Sequence, residues 1–561
     1  MKGLGKTLIL LSAVAACLSL LIVCDATATS ASPALSQQQK LKLGERIYRE
    51  GILPNGEPLM AFVKGDLPVP GTAFTCISCH LRGGIGSIEG GVYTPPTNGK
   101  TLYQPLKKIH KGVEIKYGED PFRRPAYTDE TLAEVLRTGT DPVGKILDDV
   151  MPRYLLEDED APLLIAYLKS LSSEFSPGVT DTTLHFATII SEDANPADTE
   201  AMVSGIEKFI TDKNGMANNY RNVRTPRDRM MAKAMSTSKE LELRKLTLSR
   251  WILKGAPETW RRQLEEYNRR EPAFALLGGL VNGDWQPIHQ FTEENGIPCI
   301  FPNTDFPVIS DTDWYTLYIS KGFYQEGEAV ARFLNSKEEL LQDTRIIQIV
   351  RASREGRALS AGFEETWKTM SHNPPLTISL AKEEQLSDAM VSKLTAKEEP
   401  LIILVWDGPD SGRILTALAN GKNKPTMVFA SSSYLGKNLM TLPEQVRDFT
   451  YLSYPYRLPQ DKVIDPMMGK AINFQVGDNR VAQQTYALVL TLNMAVMEIK
   501  GNYYRDHFLD AIGMSMDRVV PLYERLSFGP GQRYASKGCY IVQLAGGENP
   551  QLVKRSDWVT H

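Results

Sequence analysis

Cys76-Ile77-Ser78-Cys79-His80 is the stretch from which the first part of this 561-residue chain can be read. Two thiols three positions apart stand on one helical turn. Each can add to a vinyl group of a porphyrin, and the adjoining imidazole is then held against the iron as its proximal ligand. The same Cys pair also serves as a dithiol redox site, half of a zinc site or a structural disulfide. A zinc site needs about four N or S ligands, and no second Cys or His pair lies nearby in the sequence. A thioredoxin-like pair belongs beside a βαβ pattern, whereas here Leu81-Arg82-Gly83-Gly84-Ile85-Gly86 follows. The motif predicts one covalently bound haem c on Cys76, Cys79 and His80.

Outward from the motif, Ser36 precedes a helical stretch over 37–50, with Leu41, Leu43, Ile47 and Tyr48 on one side. Asn55-Gly56 reads as a turn. Beyond His80 the chain is rich in Gly and Pro, as at Tyr93-Thr94-Pro95-Pro96, which suits a loop around a flat cofactor. Helical spacing returns at Asp129–Thr138 behind a Thr128/Asp129 cap, and again from about 158 to 171. Between these helices lies Val150-Met151-Pro152. An electron-transfer haem held by one His usually needs a second axial ligand, and a thioether raises its potential. Of Met60, Met151, Met467 and Met468, Met151 is the best placed. Met more often simply fills a core, and His110 is the rival ligand.

Residues 36–175 resemble a class I cytochrome c domain. The helix at 37–50, the Cys-x-x-Cys-His motif, the Leu132–Thr138 helix, Met151-Pro152 and the closing Ala161–Leu171 helix come in that family's order. The resemblance implies an all-α domain, His80 and Met151 as the axial pair, and terminal helices crossing beside the haem edge.

Lys2 and Lys6, an apolar run from Leu8 to Val23 and then small residues predict a secretion signal over 1–28, cleaved after Ala28. An uncleaved anchor is the alternative, and Val14-Ala15-Ala16-Cys17 also fits a lipidation site at Cys17. No long apolar run follows Val23, so the expectation is a periplasmic protein with no membrane span in its mature chain. Cys299 and Cys539 remain after the signal and haem cysteines. Whether they pair is open at the level of sequence. A formal charge of −4 gives no basic excess for nucleic acid.

The stretch 176–183 has linker composition, and strand and helix patterns alternate beyond it, the signature of α/β folds with parallel sheets. One run of such units covers residues up to about 302, and a second begins near Tyr324. Leu401–Trp406 is the strongest strand pattern in the chain. Two α/β halves with their own sheets predict two lobes and a cleft over 184–561. This region resembles the type I periplasmic binding proteins, the branched-chain amino-acid receptors in particular. The resemblance rests on Ala275–Leu280, Asn295–Ile300, Gln325-Glu326-Gly327, Arg354–Arg357 with Gly362-Phe363, Leu401–Trp406 and Tyr540–Leu544. It implies a hinged receptor for a small solute.

Ligands of open α/β sheets sit beyond the carboxyl ends of the strands. That nominates Asn282, Asp284, Thr304, Asp407 and Ser431, with Tyr324 at a helix start, although loop solvation or helix capping suits each equally well. The family often has Ser or Thr donors for a substrate carboxylate where this chain has Asn282. No catalytic residue set stands out. The expected protein is a multidomain, exported monohaem electron carrier, whose second domain binds a solute or docks a redox partner protein. The alternative is a solute receptor or sensor in which the haem reports or couples redox state to ligand binding.

Overall fold

A computed structural model describes residues 35–63, 67–89, 92–106, 124–221, 244–337, 339, 344–408, 410–461, 463–464, 471–472, 479–499, 501–529 and 531–560. The expectations for the signal stretch, Cys17, His110, Met467 and Met468 lie outside the described residues. The described chain divides into two compact units. One holds 35–77 and 97–171; the other holds 78–96 and 172–560.

The first unit is built on helices with strong local start and stop signals. Gln37–Glu50 begins in a capping box, Ser36 and Gln39 satisfying each other's backbone N–H groups, and ends at Gly51 in the left-handed conformation. Asp129–Thr138 has the equivalent box from Thr128 and Thr131, and ends at Gly139. Ala161–Ser170 buries Leu163, Leu164, Tyr167 and Leu168. Gly44 lets the first and last of these helices meet closely: a Cβ there would lie 2.1 Å from the Leu163 carbonyl oxygen. Ile47, Tyr48, Leu132, Leu136, Leu164 and Leu168 share one core, with Met151 packed against it.

The unit is not all-α, which corrects the expectation. Met60–Val63 pairs antiparallel with Leu67–Pro70 and with Arg153–Tyr154, making a small three-stranded sheet. These strands are two to four residues long. That is too short for a period-two pattern to stand out in sequence.

In the second unit, five strands run parallel in the order Thr316–Leu317, Cys299–Ile300, Ala275–Leu277, Thr183–Ser191 and Lys245–Leu253. A second sheet orders Leu376–Leu380, Arg345–Arg351, Leu401–Trp406, Met427–Ser431 and Thr450–Tyr454 in parallel. Gly538–Ala545, Gln551–Lys554 and Val559–Thr560 continue it antiparallel. Leu401–Trp406 is buried at every residue, as a central parallel strand covered on both faces must be. Helix Phe323–Asn335 meets helix Arg354–Thr369 through Gly327 and Gly362. A Cβ on either would lie 2.0 Å from a carbonyl oxygen of the other helix.

The two lobes are present, but not as two successive halves. Helix Arg480–Glu498 follows the second sheet in the chain, yet its Ala487, Leu488 and Leu492 share a core with Phe186, Met202 and Ile206 of the first lobe. Helix Arg505–Gly513 adds Phe508, Leu509 and Ile512 to that core. Gly538–Ala545 then returns to the second sheet. Helical periodicity says that a face is buried but not against which sheet, so the repeated crossing was not readable from the pattern. Cys299 and Cys539 lie in different sheets as buried, unbridged thiols. No described helix is long and apolar enough to cross a membrane.

Candidate functional site

Two places in the second unit gather polar chemistry. The first surrounds the motif histidine. Ile77–His80 is a single helical turn, with Cys76 buried and Cys79 exposed. His80 is 6% exposed, and its Nδ1 lies 2.8 Å from the Pro95 carbonyl oxygen. Only a protonated Nδ1 can donate there, which leaves the Nε2 lone pair unprotonated. That Nε2 is buried and has no hydrogen-bond partner. Burial lowers the His80 pKa to about 4, so the ring is neutral at ordinary pH. A neutral imidazole with its second nitrogen tied to a carbonyl is the form that binds metal. A haem, if attached at Cys76 and Cys79, could be ligated by His80 as it stands.

The loop after His80 is clasped from far along the chain. Asp510, on helix Arg505–Gly513, accepts from the backbone N–H groups of Gly83 at 2.9 Å and Arg82 at 3.4 Å. The Arg82 guanidinium lies 3.7 Å from Asp506 and 4.3 Å from the centre of the Trp314 ring. Burial pushes the Asp510 carboxyl up to about 7, against the pull of those N–H donors. His507, buried on the same helix, is pulled down to about 4.

The second place is a cleft where the two lobes join. Thr304 and Asp305 reach it from beyond strand Cys299–Ile300, and Ser320 from beyond Thr316–Leu317. Ser433 and Tyr456 come from beyond strands of the other sheet, and Glu326, Gln484 and Tyr523 complete the wall. These are the carboxyl ends of parallel strands from both sheets, where such folds bind ligands. The space is narrow, about 20 Å³, within a mouth that opens to solvent.

Glu326 stands in the first turn of helix Phe323–Asn335 and is 1% exposed. Ser453 donates to it at 2.9 Å. Burial raises its carboxyl to about 7, opposed by the hydroxyls of Ser433, Ser453 and Ser431. Arg480 binds both carboxylate oxygens of Asp305, at 2.6 and 2.7 Å, and donates to the Tyr456 hydroxyl at 3.2 Å. Gln484 donates to the Tyr523 hydroxyl at 2.8 Å.

Of the residues nominated from sequence, Thr304 lines the cleft and Ser431 sits behind it beside Glu326. The others are engaged elsewhere. Asn282 donates to Asp193 at 3.0 Å, and Asp284 caps Gln286. Tyr324 donates to Glu365 at 2.8 Å. Asp407 is buried in an ion pair with Arg351 at 2.5 Å. Met151 lies against the core of the first unit. Glu326, Tyr456, Arg480, Gln484 and Tyr523 were not singled out as site residues. Arg480 and Gln484 share a helix face four positions apart, but the others come from separate segments that no spacing links. Among the described residues, no group of three or more His, Cys, Asp or Glu side chains is placed to hold a metal ion.

No family model matches the chain, and no curated sequence matches it. Among solved structures, the chain is similar to a solute-binding protein of an ABC transporter from R. palustris in complex with benzoate. The identity is 13%, over 67% of this chain and 96% of that one, at a TM-score of 0.43. A branched-chain amino acid ABC transporter protein from Thermus thermophilus with bound valine has 11% identity, over 68% and 98%, at 0.43. A solute-binding protein from Rhodopseudomonas palustris BisB5 in complex with 3,4-dihydroxy benzoic acid has 10% identity, over 68% and 98%, at 0.42.

Proposed function

We propose that this chain is an exported solute-binding protein that also carries one covalent haem c. The observation that carries the receptor reading is the cleft itself. Its lining comes from the strand ends of both sheets and from connections between the lobes, so a bound solute would contact both lobes at once. A ligand can favour a closed arrangement only by the difference in its affinity for the two states, and a cleft shared between lobes supplies such a difference.

The haem reading draws on Cys76, Cys79 and His80, and on the buried, unpartnered Nε2 of His80. Cys76 and Cys79 would hold the group covalently, and His80 and Met151 are the residues proposed to ligate its iron. Bound there, it supplies a one-electron couple. The chain's own contribution is to hold His80 in one tautomer through Pro95 and to brace the following loop through Asp510. The second reading is an electron carrier whose α/β unit docks a redox partner protein, and the same motif favours it.

Denaturing electrophoresis with haem staining tests attachment. Stain should stay with the wild-type chain and vanish in the Cys76→Ser, Cys79→Ser double variant; stain surviving in that variant removes the assignment. A thermal-shift solute screen followed by calorimetry on wild type and Tyr456→Ala then separates the two readings. Binding that is lost in Tyr456→Ala supports the receptor, and a haem protein that binds no solute is the carrier.

A further inference from the structure

The charges around the cleft are unevenly matched. Two carboxylates line it, Asp305 and Glu326, and no lysine or arginine does among the described residues. The Arg480 guanidinium, which touches Asp305 and Tyr456 of the lining, is already held by both oxygens of Asp305. A carboxylate solute would therefore face Glu326 without meeting a cation that lacks a counter-ion. Gln484 is 8% exposed, and while its amide donates to Tyr523, its Oε1 is buried with no partner. A buried acceptor left unmatched is costly, and a donor on the solute would satisfy it. Tyr318, Phe323, Tyr456 and Tyr523 supply rings to the same lining, and aromatic faces attract cations.

We propose that the cleft takes a small solute that bears an ammonium group and no carboxylate, with Glu326 as its counter-ion and Gln484 Oε1 as an acceptor. This rests on the receptor reading and narrows it to one chemical class. The groups facing Glu326 are the hydroxyls of Ser431, Ser433 and Ser453, the Cys539 thiol, and Tyr456 with the Asp305–Arg480 pair beyond it. Burial raises the Cys539 thiol and the Tyr456 phenol, so both stay protonated near neutrality. Glu326, at about 7, is the member of this set that titrates there. An ammonium group needs it ionised. Between pH 6 and pH 8 its ionised fraction rises about tenfold, and affinity should rise by about the same factor.

The test is calorimetry on the full chain with ethylammonium, ethanol and acetate, at pH 6 and pH 8. Wild type is compared with Glu326→Gln and Glu326→Asp, and the melting temperature without solute checks that each variant is folded. Ethylammonium should bind, about tenfold more tightly at pH 8. Glu326→Gln should lose at least about tenfold in affinity together with the pH dependence, and Glu326→Asp should keep the pH dependence. Preference for acetate or ethanol, a flat pH profile, or no effect of Glu326→Gln overturns the assignment of class. If acetate or ethanol binds and Tyr456→Ala abolishes it, the receptor reading survives while the ammonium class falls. If none of the three binds, the class falls and the receptor reading stands or falls with the wider screen.

Discussion

Glu326 and Asp510 are both buried carboxylates in the α/β unit, and burial pushes both up to about 7. Their donors differ. Glu326 is met by the side-chain hydroxyls of Ser433, Ser453 and Ser431, and it faces a cleft. Asp510 is met by two backbone N–H groups of the loop that follows His80, and it closes that loop onto a helix. Hydroxyls can turn to other acceptors, as Ser453 can toward the Ala430 carbonyl oxygen at 3.4 Å. Backbone amides have no such freedom. Similar burial thus has different surroundings: Glu326 lines the cleft where the proposed solute would sit, and Asp510 holds a loop to a helix.

The largest expected effect that tests this comparison is on stability against pH. Both carboxyls have folded-state values near 7, above the ordinary 4.5 for Glu and 3.8 for Asp. Between about pH 4 and pH 7 the folded protein therefore binds more protons than the unfolded chain, and these groups make stability fall as pH rises. A tenfold change in a protonation equilibrium is worth about 1.4 kcal/mol, so the loss is on the order of 4 kcal/mol for Asp510 and 3 kcal/mol for Glu326. His80 and His507, pulled down to about 4, act in the opposite sense from about pH 4 to 6.5. The useful measurement is thus the difference between variant and wild type in urea unfolding at each pH. Asp510→Asn and Glu326→Gln should each gain stability relative to wild type as pH rises through the window. A difference profile that stays flat for either variant would show that its carboxyl is not held neutral by burial.

Next in size is a steric contrast between the same two places. Gly327, beside Glu326, packs helix on helix, and a Cβ there would sit 2.0 Å from the Leu359 carbonyl oxygen. Gly83, under Asp510, is looser: a Cβ would sit 3.1 Å from the His507 backbone nitrogen. Gly327→Ala should cost about 3 kcal/mol and Gly83→Ala about 1 kcal/mol, both within the usual range for overpacking. Equal losses in urea unfolding would mean that the loop is as rigidly packed as the helix crossing.

What could be read beforehand follows the range of the interactions. The helix at 37–50, the helix at 129–138 and the strand Leu401–Trp406 have the limits expected from sequence, because caps and unbroken apolar runs act within a few residues. The Cys-x-x-Cys-His motif is likewise local. The cleft is not: Asp305, Glu326, Tyr456, Gln484 and Tyr523 meet only because the chain crosses between lobes several times. Asp407 looked like a strand-end ligand and is instead neutralised by Arg351, a partner 56 residues away. The clasp between Gly83 and Asp510 spans 427 residues, and no periodicity marks it.

The smallest expected effect asks whether the two carboxylates communicate. Asp510 shares its helix with Phe508, Leu509 and Ile512. These lie in the same core as Tyr523 and as Leu488 of the helix that carries Arg480 and Gln484. A change in charge beside His80 that moves its loop would pull on Asp510, and through this core on the cleft wall. If the haem assignment holds, solute affinity and redox state are then reciprocally linked. A coupling of about 1 kcal/mol is roughly a fivefold difference in solute affinity between oxidised and reduced protein. For a one-electron couple it moves the potential by about 40 mV, from about 59 mV per tenfold change in equilibrium constant. Asp510→Asn keeps an acceptor for one of the two N–H groups but removes the charge, and it should bring the fivefold difference close to unity. Calorimetry on both redox states of wild type and variant measures it. A coupling that survives Asp510→Asn would have to run by another route. Equal affinities in the wild type would leave the cleft and the motif as separate modules, each with its own buried carboxylate.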